Sequence, residues 1–178
     1  SKSDGISEIS LSFTTHLCMI ILLGTRGAIL IAIISTLIIE ALSKKPYYKA
    51  FFNTGQYSLT LLISGNLFHM LKLSPQTVAL DLVMDMPALI VGACTYYFFN
   101  VFFVSIVISL TTNTPLRNIF MSDFKIIIGY YLTLAAVSSA ASAIYKPEQP
   151  YVIFIMIPSL LMIDQALKRY YSLREEAI

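Results

Sequence analysis

The sequence predicts an all-α integral membrane domain, a bundle of six transmembrane helices with both termini on the cytoplasmic side. Three observations predict it. The 178 residues are 57% hydrophobic and only 12% charged, where a soluble domain carries roughly 25% charged residues. The apolar residues come in long blocks rather than at amphipathic spacing. Runs such as "MIILL" and "ILIAII" do not alternate in polarity as the strands of a transmembrane barrel must. Helices remain, because every backbone amide in lipid must be bonded within its own segment.

Six blocks follow in order: 9–23, 28–42, 50–71, 88–110, 126–145 and 151–167. A straight helix needs about 20 residues to cross the hydrocarbon, with about 17 as a lower limit. The first two blocks are short by that measure, and each borrows from its flanks. Pro46 ends the second span after Lys44-Lys45. Pro75 and Pro87 bracket "QTVALDLVMDM", a linker expected to form a short interfacial helix carrying Asp81 and Asp85. Pro115 precedes "LRNIFMSDFK", expected to be an interfacial turn. Pro147 and Pro150 frame a tight fifth connection, and Pro158 kinks the sixth span. Residues 1–170 form the membrane domain and 171–178 start a cytoplasmic linker helix, because "LREEAI" carries no stop signal. That ending, and the start at Ser1, read as a piece of a longer protein.

Charge sets the orientation. Lys2, Lys44, Lys45, Lys49, Arg117, Lys125, Lys168, Arg169 and Arg174 fall on the side of the termini. Arg26, Lys72 and Lys146 fall on the other. Cytoplasmic loops are the ones enriched in Lys and Arg. A net charge of +2 gives no reason to expect nucleic acid. Cys18 and Cys94 sit inside apolar blocks and read as small buried hydrophobes, not as a disulfide or metal pair. No catalytic constellation is present, so the chain is not expected to be an enzyme, and no cofactor can be named.

The informative residues are polar ones in a greasy background. The third block carries Asn53, Gln56 and Tyr57 near its inner end and Asn66 and His69 near its outer end. Interhelical hydrogen bonding explains such groups at about 0.6 kcal/mol each. The sharper reading is a cavity or a moving contact. Asn66 and His69 are the ligand candidates of this stretch, and Asn53, Gln56 and Tyr57 an internal clamp to neighbouring loops. His16 reads as a satisfied core histidine. Glu40 with Lys44, and Asp164 with Lys168, have the spacing of ion pairs along one helix. Asp81 and Asp85 are plain interfacial charges or the rim of a ligand entrance. Gly24, Ala28 and Ala32, and the run "LAAVSSAASAI", supply small faces for close helix packing.

The order of these marks resembles a known family. "KKPYYKAFFNTGQYSLT", "YYFFNVFFVSIVISLTTNTPLRNIFMSDFKIIIGYYLTLA" and "LKRYYSLREEAI" resemble the membrane regions that precede HD-GYP phosphodiesterase or GGDEF diguanylate cyclase domains in bacteria. The likeness runs from about residue 9 onward. It rests on a basic proline-containing loop leading to Phe-Asn-x-x-Gln, here Asn53 and Gln56, on Asn100 in the fourth span, and on Tyr130 and Tyr131 opening the fifth. It implies a sensory input domain in the bacterial inner membrane with a cytoplasmic cyclic-di-GMP output domain as partner. Asn66, His69, Asn100 and Tyr130 are then the candidate contacts for a small-molecule or lipid ligand. Pro158, Asp164, Lys168 and Arg169 mark the signal-transmitting helix, and a homodimer is left open. A second resemblance is to the substrate-binding subunits of energy-coupling-factor vitamin transporters, which also pack six short helices. Their Ala-x-x-x-Ala face lies in the first span, whereas here Ala28-x-x-x-Ala32 lies in the second.

Overall fold

Among the described residues, helical segments of alternating direction pack around one core. A computed structural model of the chain describes residues 2–43, 46–75 and 80–144, with side chains described over the same stretches except 2–11, 122–133, 141 and 144. The elements are α1 (Lys2–Leu42), α2 (Tyr47–Leu71), α3 (Met86–Thr112) and α4 (Leu116–Ile144), and no strand occurs among the described residues.

The 41 residues of α1 are not one rod. Gly24 sits at φ 72°, ψ 171°, a conformation that breaks the helix and that is essentially confined to glycine. The contacts with α2 tell where the chain goes next. In the first limb (2–23), the His16 ring meets Tyr57 at 5.0 Å, while Gly24 at its end lies beside His69. In the second limb (25–42), Thr25 lies against Gly65 and Glu40 bonds Asn53. Numbers rise together for one limb and oppositely for the other. The two limbs therefore run in opposite directions along α2, folded back at Gly24. The two short blocks of the sequence correspond to these limbs.

Close packing lets three helical segments share α2. Ala28 and Ala32 are buried with Phe13, Leu17, Leu61 and Phe68. Gly65 is what admits the second limb: a Cβ there would stand 2.6 Å from Thr25 Oγ1. On the other side Gln56 pairs with Asn100, and Phe68 meets Gly92, so α3 runs antiparallel to α2. Phe120 at the start of α4 packs edge-on to Phe98 and Phe102, and Ser138 further along reaches Thr14. The helix thus returns antiparallel to α3 and parallel to the first limb.

Three local expectations change. The linker "QTVALDLVMDM" holds no helix among its described residues before α3. Residues 80–85 form a turn closed by the Asp85 N–H on the Asp81 carbonyl at 2.9 Å, with Asp81 Oδ1 accepting from Val83 and Met84. The expected interfacial turn after Pro115 is instead the first part of α4, continuous over 29 residues. Nothing between Pro115 and Gly129 stops a helix, and proline is tolerated at its start. Cys94 is exposed rather than buried, and Cys18 is half-buried.

α3 is long and apolar enough to cross a membrane, with a mean hydropathy of 1.8, and the stretch Ser12–Leu42, folded back at Gly24, is more apolar still at 2.5. α2 spans 25 residues, about 38 Å at 1.5 Å per residue, which exceeds a hydrocarbon core of about 30 Å. Its polar residues are what dilute its hydropathy.

Candidate functional site

Three polar residues of α2, Asn53, Gln56 and Tyr57, meet partners on other helices. Gln56 and Asn100 are both buried. The Gln56 amide donates to Asn100 Oδ1 at 2.7 Å and to the Asn100 backbone carbonyl at 3.3 Å. One turn away on α3, the Tyr96 hydroxyl lies 2.6 Å from His16 Nδ1 on the first limb of α1. The His16 ring also stands edge-on to Tyr57, and Phe13 packs edge-on to Tyr96 at 5.1 Å. On the opposite side of Gln56, the Asn53 amide donates to Glu40 Oε1 at 2.7 Å, and Glu40 is buried on the second limb. These three side-chain bonds form a layer that ties both limbs of α1, α2 and α3 together. Thr60 and Ser105, each fully buried, have hydroxyls without a hydrogen-bond partner among the described residues. A buried hydroxyl left unmet costs about 1–3 kcal/mol.

A second polar centre lies at the connection between α2 and α3. Asp85 has no exposed surface. One carboxylate oxygen accepts from the backbone N–H of Leu73 at 3.0 Å and of Ser74 at 2.9 Å. The other accepts from the Ser74 hydroxyl at 2.6 Å and the Asp81 N–H at 3.0 Å. Burial pushes the carboxyl pKa up. The Ser74 hydroxyl and the N–H groups of Asp81, Ser74 and Leu73 more than offset it and hold the group below the ordinary carboxylate range. Asp85 is therefore a staple of the connection. The sequence offered interfacial charge or an entrance rim for it. Its burial had one readable sign, its place immediately before Met86-Pro87, where a helix begins.

The predicted contacts do not all meet. Asn100 is in the polar layer, whereas Asn66 is exposed on α2, ten residues or about 15 Å along the helix from Gln56. His69 is exposed at the end of α2, edge-on to Phe68 at 5.1 Å. Tyr130 lies on α4 with its side chain outside the described residues, and Pro158, Asp164, Lys168 and Arg169 lie outside them altogether. Asn53, Gln56 and Tyr57 do act together, but their partners are helices rather than loops. Glu40 bonds Asn53, while Lys44 lies outside the described residues. His16 and Tyr96 belong to the layer and were not among the ligand candidates. The signal for His16 was present, since an ionisable residue inside an apolar span is by default of interest.

Long apolar helices around an interior polar layer define a helical membrane domain. Residues 5–171 match the model of the MASE9 family, and the chain belongs to that family of membrane-associated sensor domains. No curated protein and no solved structure matches it.

Proposed function

We propose that this chain is the six-pass input module of a bacterial signalling protein, with both termini in the cytoplasm. It binds a small or lipid-like ligand and conveys occupancy through its sixth helix, 151–167, to a cyclic-di-GMP output domain. The observation that carries this reading is the polar layer. Hydrogen bonds in an apolar bundle fix how its helices are rotated and staggered, because a broken one has no water to turn to. The bonds from His16 to Tyr96, Gln56 to Asn100 and Asn53 to Glu40 are worth about 0.6 kcal/mol each on average and up to about 1.7. Together they reach the 1–3 kcal/mol or so over which ligands typically couple to distant sites. A ligand that favours a different helix arrangement can thus shift the population. Membership of a sensor family supports the input role.

The test uses the full-length encoded protein in cells without other cyclic-di-GMP enzymes. Gln56→Leu and Asn100→Leu are expected to change the cellular cyclic-di-GMP level at equal protein abundance. An unchanged level in both, or an encoded protein with no cyclic-di-GMP domain, refutes the output assignment. Topology is checked separately with single cysteines in a background lacking Cys18 and Cys94. Lys72→Cys is expected to react with an impermeant maleimide on intact cells, and Lys44→Cys only after lysis. The reverse pattern refutes the orientation.

A further inference from the structure

The two limbs of α1 are held in the bundle by different means. The first buries large apolar side chains in the shared core, Phe13, Leu17, Ile20 and Ile21. Past Thr25, the second buries a seam of one residue per turn, Ala28, Ala32, Thr36 and Glu40. Beyond Ala32 none of its apolar side chains is buried, and Leu37, Ile38, Ile39 and Leu42 are all exposed. Lipid is as apolar as leucine, so helices in a membrane are held together by interlocking side chains and interhelical hydrogen bonds. A seam that ends in Thr36 and Glu40 interlocks little, and the far half of the limb, 33–42, leans on polar contact instead. The Asn53 amide supplies such a contact, donating to Glu40 Oε1 at 2.7 Å near the limb's end.

The near end is built as a pivot. Gly24 joins the limbs in a backbone conformation that breaks the helix, and one residue on, Thr25 makes its close approach to Gly65. A rotation about this point moves each residue in proportion to its distance from it. At 1.5 Å per residue, Ala28 lies about 6 Å along the limb, Ala32 about 12 Å and Glu40 about 24 Å. Five Cα steps join Leu42 to Tyr47 and reach about 17 Å at full extension, against about 8–10 Å between the axes of packed helices. The chain therefore permits an excursion of about 8 Å at Leu42, which scales to about 6 Å at Ile38 and under about 3 Å at Leu30. Such a swing parts Glu40 from Asn53 well beyond the roughly 3 Å of a hydrogen bond, and shifts Ala28 by about 2 Å.

We infer that the second limb is a hinged arm, pivoting at Gly24 and latched onto α2 by the bond between Asn53 and Glu40. The inference rests on the sensory reading only for the use made of the motion. There it names the element that moves when the polar layer rearranges, while the first limb, fixed by its large buried side chains, stays with the core.

The experiment reads distances rather than signalling, so its failure and that of the sensory reading can be told apart. The chain, with Cys18 and Cys94 replaced by Ala, is reconstituted in lipid nanodiscs and carries two nitroxide labels on introduced cysteines. One pair joins the far end of the arm to α3, Ile38→Cys with Leu110→Cys. The other joins the hinge end to α3, Leu30→Cys with Ile90→Cys. All four positions are exposed, so the labels disturb no packing. Distances are read by double electron–electron resonance with the latch intact and with Asn53→Leu. Breaking the latch is expected to add a population about 6 Å longer at the Ile38 pair and to move the Leu30 pair by less than about 3 Å, the excursions the hinge geometry allows. Should Asn53→Leu fail to fold, Glu40→Leu removes the other half of the latch together with a buried charge, and the same shifts are expected. An unchanged Ile38 distance in the folded latch variant overturns the inference, because the arm is then held by something else. Equal displacement of the two pairs also overturns it, because the limb then leaves as a whole and Gly24 is not its pivot.

Discussion

Removing the Asp85 carboxylate should unfasten the connection between α2 and α3, and the cost can be worked from its four bonds. Replacing it with Ala strands the N–H groups of Leu73, Ser74 and Asp81 and the Ser74 hydroxyl. Leu73 is 73% exposed, so water recovers its N–H. Ser74 is only 7% exposed, so its two donors remain unmet. Hydrogen bonds to charged groups are worth about 1.5–3 kcal/mol, which gives about 3–5 kcal/mol for Asp85→Ala. Asp85→Asn keeps the oxygen that serves Leu73 and Ser74. Its amide then faces the Asp81 N–H as a second donor, while the Ser74 hydroxyl can turn to accept. One lost bond costs about 1–2 kcal/mol. The pH dependence follows from the same bonds. The carboxyl pKa is lowered in the folded protein, against about 3.9 in an unfolded chain. The stabilisation is therefore complete above the unfolded value and is lost as pH falls through the folded one. The assay is thermal unfolding in micelles followed by far-ultraviolet circular dichroism, for the wild type and both variants, from neutral to acid pH. The order expected is wild type, Asn, Ala, with the acid loss reduced in both variants. Equal stability of all three, or an undiminished acid loss in Asp85→Asn, would refute the reasoning.

Three other outcomes are expected. Gly24→Ala should destabilise by about 1–3 kcal/mol through its backbone alone, since the nearest atom to a new Cβ is 3.9 Å away; a neutral result in the same unfolding assay would mean that the hairpin turn is not made there. Gly65→Ala should cost about 1–3 kcal/mol by overpacking against Thr25, and Thr25→Ala should restore most of it, whereas additive effects would show that the two do not touch. Gln56→Ala and Asn100→Ala should be non-additive by about 0.6–1.7 kcal/mol in a double-mutant cycle on unfolding, and strict additivity would deny the 2.7 Å bond between them.

The sequence by itself determined the class of structure and most of the interesting residues. Charge scarcity and long apolar blocks leave only helices in lipid, and these are properties of residues rather than of their arrangement. Polar groups in those blocks announce themselves for the same reason, so Asn53, Gln56, Asn100 and His16 were legible as marks. Their partners were not. Gln56 and Asn100 are 44 positions apart, and His16 and Tyr96 are 80 apart; which helix meets which depends on rotation and stagger between helices, and hydropathy is blind to both. Asn66 looked equivalent to Gln56 on the page, yet it is exposed while Gln56 is buried, and His69 lies at the Gly24 turn rather than in the layer. Asp85 looked like a surface charge because acidic residues usually are, and only the return of Leu73, Ser74 and Asp81 around it made burial tolerable. A chain fixes what each side chain can do, and the packing of helices fixes what it is next to.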